Sequence, residues 1–572
     1  MLSADIKKLP RHFLPQGFQL NTWADVAPYF EALEQRELAT VADLEQWLKD
    51  LSELEAAISE DACWRQIKMT CDTTNPELEA SFNYFCTDIQ PHIQPYADRL
   101  NKKLMASPLL AALPQEQYYT YLRSVKKSID LFREANIPLQ SELSVLQQQF
   151  GAIAGKMTIE VNGQEYTLQQ AAKFLESHDR TLREQVYHKI WERRLADKDA
   201  LNELYTILVQ KRQQVAVNAG FENYRDYKFV ELGRFDYTKE DCYNFHEAVR
   251  QHVLPLVNDI YERKAKALGL SKLKPWDTEA YPEGVQPLKP FNGGNELLEK
   301  TIACFEQLHP FFADCLRKMN SLGHLDLESR KGKAPGGYNC PLAESGAPFI
   351  FMNAAGTMDD VTTMVHEGGH AVHSFLAHNL SLSAFKEYPM EIAEVASMAM
   401  ELFSMDHWQA FFGNDTAKLK QAKEHQLERV ITIFPWIATI DAFQHWVYEH
   451  PNHTIEERAE AWTNILATFK IDAIDTSDVA TYRQYSWQRQ LHLFEVPFYY
   501  IEYGIAQLGA IGLWMQYKQN PQQALQHYIN ALQLGGTKTL PALYEAAGLK
   551  FDFSPEHIKT LMQFVKAEMD AL

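Results

Sequence analysis

Nowhere in the 572 residues does an uninterrupted apolar run reach bilayer-spanning length. The most apolar stretch, 505–515, is too short and reads as a core helix. Met1 to Lys8 leads into Leu9, Pro10, Arg11 and His12 without an apolar h-region, so no secretory signal is expected. Cysteine is sparse: seven residues, odd in number, scattered, with no C-x-x-C pair. That excludes a disulfide framework and fits thiols buried as small hydrophobes in a reducing compartment, with the cytoplasm as the expected location. Positive charge is scarce as well. The formal charge of −20 removes nucleic acid and anionic membranes as main partners, because both need basic patches. No repeat of fixed period and no low-complexity tract occurs.

What remains is a mostly helical chain. Phe30, Leu33, Leu38, Val41, Leu44, Trp47, Leu48 and Leu51 recur at helical spacing across 26–105, predicting a helical hairpin or small bundle. Further helices are predicted over 118–150, with a break at Ile137-Pro138, and as one long run from Gln169 through Arg180 to Ala216 with a solvated outer face. Others follow over 239–267 and 295–322. The one strong β signal is 158–168, where apolar and polar residues alternate around Asn162-Gly163, a two-residue hairpin. Short strands are expected at 325–327 and 347–353. The second is either an edge on which an extended peptide is laid or one strand of an antiparallel hairpin with its edge covered.

The chemistry concentrates in 356–401. His366-Glu367-Gly368-Gly369-His370 is an H-E-x-x-H pattern, and residues four apart share one face of a helix, so both imidazoles can reach a single ion. Glu367, one step round, can act as general base toward a water there. Thr357 and Asp360 resemble a capping box at the start of this helix. The two glycines each cost about 1 kcal/mol against Ala in a helix, which predicts a close backbone or substrate approach on that face. A catalytic zinc needs a third protein ligand. His373 shares the face, but three ligands in line on one straight helix converge poorly, so it is expected behind the ligands or in the core. Pro389 can start a second helix on which Glu391, Glu394, Ser397 and Glu401 share a stripe among small apolar residues. Glu394 is the preferred third ligand, although spacing alone does not separate it from Glu391.

These motifs resemble peptidase family M3, the zinc metallopeptidases, and within it the oligoendopeptidase F branch. The likeness rests on 365–373, on Glu391-Ile392-Ala393-Glu394-Val395-Ala396-Ser397, on Pro348 to Asn353, on Arg330 to Tyr338 and on His492 to Tyr503. It implies a mainly α, multi-helix, clam-shaped fold with a deep substrate channel and a small β element beside the histidine-bearing helix. The implied organisation is an N-terminal helical segment over 1–110, a domain with the β-hairpin over 111–200 and a catalytic domain over 201–572. The resemblance implies one Zn2+ per chain held by His366, His370 and Glu394, and short peptides as substrates, folded proteins being excluded from the channel. It also implies that a histidine and nearby tyrosines stabilise the tetrahedral intermediate. Tyr500 and Tyr503 share a helical face and fit that role, with His492 and Tyr499 as further candidates. The activity so expected is zinc-dependent endopeptidase cleavage with Glu367 as base. The alternative is a non-catalytic peptide-binding protein with a structural or vestigial metal site. A di-iron carboxylate site would need a second E-x-x-H, and none is present.

Overall fold

Threonine opens helix after helix in this computed structural model, which describes residues 2–6, 8 and 10–572. Thr40, Thr167, Thr238, Thr357 and Thr454 each close a capping box with an acid or glutamine three residues on. Each box satisfies amide donors that a helix start leaves free. Met1, Lys7 and Leu9, part of the stretch searched for a leader, lie outside the described residues. Among the described residues no helix is long and apolar enough to cross a membrane.

The fold is mainly α. Helices Trp23–Gln35, Val41–Cys71 and Gln90–Met105 pack around their own apolar cluster, which Leu382 and Phe385 join from the distant part of the chain. A much larger cluster runs through the remainder. The Asn-Gly hairpin forms as expected. Strands β1 (Thr158–Val161) and β2 (Gln164–Thr167) pair antiparallel, with Asn162 and Gly163 at φ 53° and 80°, as a type I′ turn requires.

The predicted single helix over 169–216 is three pieces: Leu168–Ala172, Arg180–Ala196 and Lys198–Asn218. Asp179 breaks it by accepting hydrogen bonds from the amides of Thr181 and Leu182, which starts a new helix. Its outer face is not uniformly solvated either. Arg183 is buried against Asp277, and Arg212 is buried with its guanidinium on the Tyr448 hydroxyl and the carbonyls of Leu493 and Phe494. The latter two are end-of-helix acceptors, so Arg212 caps the short helix Leu491–Glu495. The predicted helix over 295–322 divides at Pro310 into Gly293–Leu308 and Pro310–Leu322.

The second sheet differs from expectation in a way that bears on function. It has three strands in the order β3 (Leu325–Glu328), β5 (Phe349–Ala354), β4 (Tyr338–Cys340). β5 is central, parallel to β3 and antiparallel to β4, so it offers no free edge; of the two readings the antiparallel hairpin with its edge covered is the one that forms, with β4 as partner and β3 as cover. The edge next to the histidine-bearing helix belongs to β4, which follows Gly336-Gly337. The segment leading into β4 is fastened to the end of Val41–Cys71. The Ala334 amide donates to the Thr70 carbonyl (2.8 Å), the Thr73 amide donates to the Gly332 carbonyl (2.7 Å), and the Thr70 and Tyr338 hydroxyls lie 2.6 Å apart.

Candidate metal centre

The helix Met358–Ala377, here the histidine helix, leaves β5 through the predicted capping box. Asp360 accepts from the amides of Ala355, Gly356 and Thr357, and its own amide donates to the Thr357 hydroxyl. This fixes the helix start eight residues before His366, and His370 follows one turn on, with ring centroids 4.9 Å apart.

Facing it is the helix Met390–Ser404, the carboxylate helix, whose residues from Glu391 to Ser404 are all buried. Gly369 lets these two helices approach closely, and Gly368 makes room for Phe305 on a third. A Cβ on Gly369 would lie 2.6 Å from the Ala396 carbonyl oxygen and the Ser397 Cα, and one on Gly368 would lie 2.8 Å from the Phe305 ring. The glycine pair therefore serves helix–helix approach, not contact with a substrate.

That approach brings one oxygen of Glu394 to 3.3 Å from His366 Nε2 and 3.5 Å from His370 Nε2. The three donor atoms all lie within 4.8 Å of one another. The Ser397 hydroxyl donates to the same oxygen (3.0 Å), and the Tyr499 hydroxyl donates to the other. A relay orients His366: Thr362 donates to Gln426 (3.0 Å), Gln426 donates to Glu401 (2.8 Å), and Glu401 lies 2.7 Å from His366 Nδ1. With Nδ1–H donated to Glu401, the Nε2 lone pair points toward Glu394 and the space between the donors. Glu391 lies outside this group and accepts from the buried Tyr237 hydroxyl (2.6 Å).

Glu367 is 5% exposed, and its Oε2 has no hydrogen-bond partner. Burial pushes its carboxyl pKa up, with His366 and His370 pulling the other way. The approach to β4 passes over it. A Cβ on Gly337 would lie 3.5 Å from Glu367 Oε1, and the Asn339 amide nitrogen donates to the Glu367 backbone carbonyl (3.3 Å). His373 is elsewhere, buried and stacked on Tyr388 at 3.5 Å with neither ring nitrogen hydrogen-bonded, and its pKa is depressed by burial.

Tyr500 and Tyr503 lie on one helical face as expected, with ring centroids 5.3 Å apart, and a turn separates them from His492. The helix Leu491–Glu495 ends, Phe498 takes φ 66°, and the tyrosine helix Tyr500–Gln519 begins. Gln490 Nε2 lies 2.7 Å from His492 Nδ1, and His492 Nε2 lies 3.1 Å from the Tyr503 hydroxyl. Burial lowers the His492 pKa to about 4, so at neutral pH the ring is uncharged. Gln490 can only donate through that nitrogen, which leaves the His492 proton on Nε2, facing Tyr503 oxygen. The Tyr503 hydroxyl proton is thereby free to point onward. Burial, and after it the charge of Glu394, holds that hydroxyl protonated by raising its pKa. Tyr500 packs its ring on His492 at 4.9 Å, but the charges nearest its hydroxyl are Arg489 and Arg429. Two adjoining cavities of about 620 and 600 Å³ meet at Lys264, Glu279, Asp359, His425 and Glu428, beside the start of the histidine helix and not at the donor atoms themselves.

Several of these contacts lay beyond sequence reasoning. The Tyr499–Glu394 contact, Gln426 and β4 carry no local motif, whereas Glu401 was visible as a member of the carboxylate stripe.

Comparison with known proteins follows the same lines. The family model Peptidase family M3 matches residues 173–563, and Peptidase M3 N-terminal domain matches 13–132. The Oligoendopeptidase F homolog of Borreliella burgdorferi is 23% identical over 387 residues, 66% of this chain and 63% of that protein. Oligopeptidase PepF of Bacillus subtilis is 22% identical over 414 residues, 70% of this chain and 58% of that protein. The chain thus spans less than two thirds of the length of these curated relatives. Among solved structures, PZ peptidase A with an inhibitor superposes with a TM-score of 0.92 at 25% identity, covering 98% of this chain and 99% of that one. Oligoendopeptidase-F from Enterococcus faecium shares the fold, with a TM-score of 0.66 at 14% identity over 96% of this chain and 97% of that one.

Proposed function

This chain belongs to peptidase family M3, and from that premise we propose that it is a zinc-dependent endopeptidase cleaving internal bonds of short oligopeptides. Family membership implies a metal cofactor. The observation that carries the reading is the convergence of His366, His370 and Glu394 beside Glu367, a buried acid with an unpartnered oxygen. Two imidazoles and one carboxylate, with Glu401 fixing the tautomer of His366, fit a catalytic zinc that keeps a position open. Zinc held by these residues would supply Lewis acidity that lowers the pKa of a water at the site toward neutrality.

The chain's own residues account for the rest. Glu367 accepts the proton of the attacking water on its free oxygen and delivers it to the leaving amine. Tyr503, its oxygen engaged by His492 Nε2–H, donates its hydroxyl proton to the oxyanion forming on the scissile carbonyl. Tyr499 acts through Glu394, and Tyr500 is further from the donor set. An extended peptide adds to the free edge of β4, whose approach runs past Glu367, so backbone pairing sets the register of the scissile bond. His366, His370 and Glu394 have side chains 16%, 15% and 2% exposed, an enclosure suited to a single peptide strand and not to a folded protein.

Glu367→Gln tests the assignment. Metal content is expected to stay at the wild-type level while cleavage of internally quenched fluorescent peptides falls by roughly 10²–10⁴-fold. Wild-type cleavage by a metal-replete variant would overturn it.

A further inference from the structure

A second group of metal-binding side chains lies outside the centre just described. The helix Lys239–Ala248 carries Cys242 and His246, and the long helix Thr416–Glu449 carries Asp441 and His445. Each pair is four residues apart, so each projects from one face of its helix toward the other. The Cys242 sulfur, a carboxylate oxygen of Asp441 and a ring nitrogen of His445 lie within 4.8 Å of one another. His246 Nε2 is 2.8 Å from Asp441 Oδ2, and His445 Nε2 is 3.2 Å from that same oxygen. All four residues are buried: Asp441 is 0%, Cys242 1%, His445 2% and His246 9% exposed.

A simple hydrogen-bonded core leaves much of this unexplained. Asp441 Oδ1 and both ring nitrogens of His445 lack hydrogen-bond partners. The only ion-pair partners of Asp441 among the described residues are the two imidazoles. Aromatic rings wall the group, with Tyr243 at 4.9 Å and Phe498 at 5.4 Å from the His445 ring. Buried polar atoms in such surroundings are costly unless paired. One cation would engage a thiolate, a carboxylate and the His445 imidazole together, with His246 held on the carboxylate.

We propose that Cys242, Asp441 and His445 form a second, structural divalent-metal site, with His246 orienting Asp441 from behind and zinc the ion that this donor set suits. The three donors are 2% exposed or less and open to no peptide, which marks the site as structural and not hydrolytic. Binding requires the Cys242 thiolate, so its proton is released to solvent as the metal enters. The site braces the turn that precedes the tyrosine helix. Gln444, next to His445, accepts the Phe498 amide hydrogen bond, Arg234 donates to the Phe498 carbonyl, and Phe498 holds a φ of 66° that is rare for a bulky residue. Tyr499, the following residue, reaches Glu394. The site stands independently of the peptidase reading.

Elemental analysis of the purified full chain is expected to give two equivalents of metal, one removed readily by chelator and one retained. Cobalt substitution distinguishes the sites. The His366–His370–Glu394 donors contain no sulfur, so a near-ultraviolet thiolate-to-cobalt charge-transfer band can arise only elsewhere. That band is expected in the wild type and in Glu394→Ala, and to be lost in Cys242→Ser. A single equivalent with no charge-transfer band, or a band that survives Cys242→Ser, overturns the proposal. If Cys242→Ser fails to fold, the wild-type stoichiometry and cobalt spectrum decide on their own.

Discussion

Replacing Gly369 by Ala should loosen the metal without touching a ligand. The added methyl lies 2.6 Å from the Ala396 oxygen and the Ser397 Cα, both backbone, whereas ordinary contact starts at 3.4 Å. The histidine and carboxylate helices must therefore separate by about 0.8 Å, since backbone has no rotamer by which to yield. Alanine favours a helix over glycine by about 1 kcal/mol, and overpacking costs about 1–3 kcal/mol, so the net destabilisation is expected to be small. The effect on the centre is larger. Glu394 rides on the displaced helix, and metal–ligand distances tolerate only about 0.2 Å, so metal affinity should fall at least ~10–100-fold. Competition with a chromophoric chelator measures this, and peptide cleavage at saturating metal shows what geometry remains. Gly368→Ala is the control, because its methyl meets the Phe305 ring at 2.8 Å. Pairing it with Phe305→Leu should restore affinity, and no side-chain truncation should restore Gly369→Ala. Wild-type metal affinity in Gly369→Ala would refute the claim that these glycines set the ligand spacing.

Glu401→Gln should lower metal affinity about 10–100-fold by weakening the hold on His366 Nδ1, read by the same competition. Tyr503→Phe should reduce kcat by ~10²–10³-fold with little change in KM, whereas Tyr499→Phe should act chiefly on metal affinity through Glu394; equal kinetic effects would contradict that division. Glu495 gives the pH test. Burial raises its carboxyl pKa to about 8, so its contribution to stability is full below the unfolded value and is lost as pH rises through 8. Glu495→Gln should therefore raise the melting temperature increasingly from pH 5 toward pH 8, and a pH-independent difference would count against it.

The histidine helix was legible because its signals are local: a capping box, a helical period and two ligands one turn apart. Glu394 and Glu401 were legible as carboxylates among small apolar residues. β4 was not, since Tyr338-Asn339-Cys340 is too short to show alternation and is a strand only because β5 lies beside it. Tyr500 and Tyr503 do share one face of the tyrosine helix, with ring centroids 5.3 Å apart, as their spacing of three predicts. The left-handed turn at Phe498, just before that helix, carries no local signal, and so the contact of Tyr499 with Glu394 was hidden. The burial of Arg212 was also hidden, because its acceptors are carbonyls some 280 positions away in the chain.

The threonine contacts between the end of Val41–Cys71 and the strand beside Glu367 bear on any attempt to shorten the chain. Thr70 and Thr73 hold the backbone at Ala334 and Gly332, and Thr70 also meets the Tyr338 hydroxyl. A truncation that kept every proposed ligand, the base and the tyrosines, but began after these helices, would leave that strand unanchored. Such a fragment should retain metal and lose grip on peptides. Under the proposed function the amino-terminal helices would belong to the peptide cradle, and grafting or domain-swapping should carry them along.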